Sequence, residues 1–81
     1  MTQSQLVTIG RTVHYVLPGN RHRAAIVVDV VVGDVVDLCI FLAPSDPENA
    51  LGKEPTGWGR RVPYSDDVVP PADTWHWPER A

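Results

Sequence analysis

The chain has 81 residues, a formal net charge of −3 and an apolar fraction of 43%, with a pI near 5.4. That length allows one domain, residues 1–81, with a small core, and the acidic balance excludes the broad basic footprint of a typical nucleic-acid binder. The charge is uneven: residues 1–42 hold three Arg and three Asp, so the whole surplus falls in 43–81, where four basic residues meet seven acidic ones.

The opening "MTQSQLVTIG" has neither a charged n-region nor an apolar h-region, so no signal peptide is expected. "TVHYVL" (12–17) alternates and runs into "PGN", the pattern of a strand followed by a turn. "AAIVVDVVV" (24–32) and "VVDLCIFL" (35–42) read as two strands about Gly33–Asp34, because β-branched residues dominate them and Gly33 and Pro44 punctuate them. Asp29, Asp34 and Asp37 interrupt this apolar stretch, so no membrane span is expected.

The register of that hairpin matters. A tight turn at Gly33–Asp34 leaves one aspartate among the apolar side chains of each face. An odd-length, bulged loop shifts the pairing by one residue and separates the two kinds. Ile26, Val28, Val30, Val36, Leu38 and Ile40 then form an apolar face, while Val27, Asp29, Val31, Asp37, Cys39 and Phe41 form the other. The bulged form is expected, with the first set in the core and the second covered by the following loop or by a second copy of the chain.

Residues 43–57 form a long loop with three prolines and one helical turn at 47–51. "WGRRVPY" (58–64) is a fourth strand that Pro63 confines to an edge or ends. "TWHW" (74–77) is a fifth. Strand side chains alternate, so Trp75 and Trp77 share one face and His76 takes the other, more exposed one. Val13 and Tyr15 supply a surface for the two indoles, which pairs the last strand with the first. The expected fold is all-β, a small SH3-like five-stranded barrel with a long loop after the third strand. The alternative is an open antiparallel sheet completed by dimerisation. Val13, Tyr15, Trp75 and Trp77 complete the expected core.

No nucleophile elbow, phosphate loop or H-E-x-x-H motif is present, and Cys39 reads as a packed residue without an internal disulfide partner. No catalytic residue and no cofactor are expected. His14, His22 and His76 match no zinc spacing, so no metal site is expected either. Asp29 and Asp37 face each other as two solvated charges. The candidate binding surface comprises Trp58, set between two glycines, with Arg60, Arg61, Tyr64, Phe41, Arg21 and Arg23.

The segments "VHYV" (13–16), "RAAIVVDV" (23–30), "VDLCIF" (36–41), "VPYSDD" (62–67) and above all "TWHWPER" (74–80) give the chain a resemblance to a family of small actinobacteriophage and prophage proteins. The resemblance implies a phage origin and a site of action in the host cytoplasm, and it implies no catalytic residue. Residues 43–57 depart from the Asn-Pro-Thr-Gly-type segment of that family, so nothing tied to that loop carries over. The expected function is that of a non-enzymatic accessory protein that binds a host or phage protein, or itself. A small nucleic-acid-binding barrel using the arginines and Trp58 is the alternative, and a virion component is a further one.

Overall fold

The computed structural model describes residues 7–49 and 55–78. They form one five-stranded antiparallel sheet and no helix: β1 (Thr12–Leu17), β2 (Arg21–Val32), β3 (Val35–Phe41), β4 (Thr56–Val62) and β5 (Trp75–His76), in the spatial order β4-β3-β2-β1-β5. The protein is therefore all-β. Strand pairing does not close the sheet into a barrel; β4 and β5 lie at its two ends. Residues 50–54 and 79–81 lie outside the described region, so the helical turn expected at 47–51 is described only over 47–49. There two successive turns form, Asp46 N–H donating to Ala43 O and Asn49 N–H to Asp46 O. Among the described residues no helix is long and apolar enough to cross a membrane.

β1 and β2 pair from Thr12↔Ile26 to Leu17↔Arg21. The connection needs left-handed backbone at Gly19 (φ 80°) and Asn20 (φ 58°), which glycine adopts freely and asparagine tolerates. The β2–β3 turn is the tight two-residue kind at Gly33–Asp34, since Val32 pairs with Val35. The register shift lies inside β2, between Val27 and Asp29 and again between Val30 and Val32.

These bulges correct the expected core. Ala25 and Val27 face inward opposite Ile40 and Leu38, and the bulge at Val28 then reverses the parity. Val27, assigned to the outer face, is fully buried, whereas Val28, assigned to the core, is 39% exposed. Ile26 is half-buried on the outer face opposite Cys39, whereas Val30, opposite Val36, is half-buried and packs against the core as expected. Asp29 does oppose Asp37, but Asp37 is no free charge: its carboxylate accepts the Arg61 backbone N–H at 2.8 Å. That bond holds a further bulge, in β4, where Arg61 takes φ 52° and lets both Gly59 and Val62 face the core.

The core comprises Val13, Tyr15, Leu17, Ala25, Val27, Val36, Leu38, Ile40, Val62 and Trp75. Trp75 is its largest fully buried side chain. Its backbone is held from both sides, by Tyr15 of β1 and by the chain beyond β4, where Trp75 N–H donates to Pro63 O and Ser65 N–H to Trp75 O. Its indole N–H reaches across to Asp34 O in the β2–β3 turn at 2.7 Å. Tyr64 and Trp77 meet the ring edge-to-face at 4.8 and 5.2 Å, arrangements that the aromatic quadrupole favours. Trp77 is only partly buried, with the Arg11 guanidinium 5.0 Å above its ring. His76, expected on an exposed face, is 8% exposed, because that face of β5 is occupied by His14 and His22.

Candidate functional site

The register carries an apolar row across the outer face of the sheet: Ile26 of β2 opposes Cys39 of β3, and Cys39 opposes Trp58 of β4. Phe41 and Val28 lie two residues along their strands from Cys39 and Ile26, and so share that face. The glycines on either side of Trp58 explain why it points outward. Gly57 and Gly59 take the inward positions, and a Cβ built on Gly59 would stand 2.9 Å from Val62 Cγ2 and 3.2 Å from Ile40 Cδ1. Trp58 is 73% exposed and Phe41 43%. Arg60 follows on the same face. β4 also ends the sheet, and among the described residues no strand lies along its outer backbone edge.

Of the seven candidate binding residues, Trp58 and Phe41 are diagonal neighbours across β3 and β4, and Arg60 and Arg61 follow further along β4, on the side of Trp58 away from Phe41. Three go elsewhere. Tyr64 packs against Trp75, where burial pushes its hydroxyl pKa up. Arg21 and Arg23 are bound internally: Arg23 donates to both oxygens of Asp46, at 2.7 and 2.6 Å, and Arg21 to Asp46 at 2.8 Å and to Glu48 at 3.1 Å. Asp46 is 3% exposed and also accepts the Ala43 N–H. The Arg23 hydrogen bonds, more than any other contact, hold its carboxyl below the usual aspartate range. Asp46 thus clamps the loop after β3 onto the start of β2. The sequence signal was the spacing of "RHR", which puts two guanidiniums on one face of a strand.

Two depressions flank the sheet. One, of about 410 Å³, opens where Gly57 lacks a side chain, between Leu17, Ile40 and Leu42, with Tyr15 and Asp73 at its wall. The Tyr15 hydroxyl donates to the Asp73 carboxylate, and burial followed by this bond raises the tyrosine pKa far above its ordinary value. The other, of about 320 Å³, lies between the 64–70 segment and His76 and Trp77.

Among the described residues, the groups placed to hold a metal are three histidines, His14, His22 and His76. Each offers one ring nitrogen, and these three atoms lie within 4.8 Å of one another. Spacing rules missed them because they come from three strands, yet His14 pairs directly with His76. Cys39 belongs to the Trp58 row and not to this group.

No family model, curated protein or solved structure matches the chain.

Proposed function

We propose that the protein is a small non-enzymatic interaction module whose docking surface is the outer face and free edge of β4. The observation that carries this reading is Trp58, a 73% exposed indole on an edge strand. Exposed aromatics of this kind are frequent anchors of protein contacts, and an edge strand offers a row of backbone groups to an added strand. The occupant that fits is an extended protein segment pairing along β4. It would carry an apolar side chain for Trp58 and Phe41 and an acidic one for Arg60 and Arg61. The phage likeness of the sequence supports a partner in the host cytoplasm. We also read the curled sheet as an SH3-like barrel. What supports this is the pair of hydrogen bonds between Trp75 and residues 63 and 65, which link the chain beyond β4 to β5.

The test is a photo-crosslinking amino acid at position 58, with a matching probe at the fully exposed Val68. A discrete protein adduct from position 58, absent from position 68 and lost with Arg60→Glu, is the expected result. An adduct with a second copy assigns the face to self-association. No adduct from position 58, or salt-sensitive binding of short RNA or DNA that Arg60→Glu abolishes, would replace this reading.

A further inference from the structure

A second feature, independent of the β4 face, lies toward the other end of the sheet. His14, His22 and His76 stand on the adjacent strands β1, β2 and β5. His14 opposes His76 directly, and it opposes Ala24, two residues from His22. Direct and diagonal cross-strand neighbours are the positions whose side chains meet on one face. The rings accordingly gather with centroids 5.4 Å apart for His14 and His76, 4.8 Å for His22 and His76, and 6.4 Å for His14 and His22.

We propose that these three histidines bind one divalent transition-metal ion of the zinc class. Three imidazoles and an open fourth position make a ligand set that Zn²⁺ accepts. Nitrogen ligands without a thiolate suit Zn²⁺, Co²⁺, Ni²⁺ and Cu²⁺, whereas Mg²⁺ and Ca²⁺ prefer oxygen. Metal–nitrogen bonds of about 2.0–2.1 Å require nitrogens about 3.4 Å apart in a tetrahedron. The three nitrogens already lie within 4.8 Å of each other, so each pair has to close by no more than about 1.4 Å to reach that spacing.

The surroundings fit as well. His76 is buried, with both its ring nitrogens shielded from solvent, and the other two are half-buried. His76 also lines the 320 Å³ cleft that holds Asp66 and Asp67, two carboxylates that favour the approach of a cation. Asn20 Oδ1 lies 3.2 Å from His22 Nε2, the kind of outer contact that fixes which imidazole nitrogen carries the proton. The ion would join β2, β1 and β5, and so tie down the short strand that carries Trp75.

The experiment uses the full chain, stripped with a chelator and titrated with Co²⁺ and then Zn²⁺. One equivalent of Co²⁺ should produce the visible bands of a low-coordinate nitrogen site, and Zn²⁺ should displace it while raising the melting temperature. His14→Gln and His22→Gln, at half-buried positions, should each lower the affinity roughly 100-fold or more, above the 10- to 100-fold typical of losing an outer contact. They should also abolish the Zn²⁺-dependent rise in melting temperature. The near-ultraviolet circular dichroism of the tryptophans shows that each variant is folded. The proposal is overturned if the folded wild-type protein binds no stoichiometric metal. It is equally overturned if a folded His14→Gln, His22→Gln double variant binds as tightly as wild type.

Discussion

Trp75 and Trp58 are the same residue in two short strands, yet one is fully buried and the other 73% exposed. Local sequence does not separate them, since each sits in a polar, punctuated segment. Their neighbours do. Trp75 lies where segments distant in sequence converge: β1 on one side, residues 63–65 on the other, and the β2–β3 turn at its indole nitrogen. Trp58 has one strand beside it and two glycines that give the inward side of β4 to its neighbours' side chains. The fate of an aromatic side chain in so small a sheet is decided by how many long-range partners reach it.

The sharpest way to break this comparison is to remove each indole. Trp75→Ala should cost ~3–5 kcal/mol, as for other aromatic-to-alanine changes in cores, and ending the chain before Thr74 should abolish cooperative melting. Denaturant unfolding followed by circular dichroism checks both. A Trp75→Ala protein with wild-type stability would show that the convergence around it is not what holds the fold.

Asp46 is a second point of convergence, and pH reads it out. Its folded pKa is depressed, chiefly by Arg23. Its contribution is therefore complete above the ordinary aspartate pKa of about 3.9 and is lost as the pH falls through the lower folded value. Asp46→Asn should lower the melting temperature by several degrees at neutral pH. The gap from wild type should begin to narrow as the pH drops below about 4, where the unfolded chain takes up the proton, and should close only below the depressed folded value. A gap unchanged down to the lowest pH that leaves both folded would contradict the clamp.

Gly59→Ala tests the inward side of β4. The added methyl meets Val62 and Ile40 closer than side chains normally approach, and overpacking of this kind costs about 1–3 kcal/mol. Equilibrium unfolding measures it. The smallest effect on stability belongs to Trp58→Ala, expected within about 0.5 kcal/mol of wild type. Loss of the position-dependent partner contact without loss of stability would sharpen the contrast between the two tryptophans.

All five strands and the meeting of the last with the first were legible in the sequence. "TVHYVL" alternates cleanly, and parity puts both indoles of "TWHWP" on one face, though not how deeply either is buried. The inward face of β2 was not legible. Val27, Val28, Val30, Val31 and Val32 are interchangeable by hydropathy, so only the pairing with β3 reveals where the bulges fall. The β4 face was partly legible: Trp58 and Phe41 share it as diagonal neighbours, while Tyr64, Arg21 and Arg23 are drawn away by partners distant in sequence. The histidine cluster was hidden because spacing rules count along the chain, whereas a sheet brings side chains together across it. Once Tyr15 pairs with Trp75, His14 must pair with His76.

The pairing of Tyr15 with Trp75 also bears on the order of events at the ribosome. β1 is made early, and its partner on that side appears only when Trp75 has been synthesised. Pairings so distant in sequence form slowly because a long loop must close first. The β1–β2–β3 meander can begin to assemble on the nascent chain, but the core lacks its largest side chain until synthesis has passed the fifth strand. Acquisition of the native state is therefore a late step, and a stalled ribosome upstream of Thr74 would present a chain with its apolar inner face uncovered.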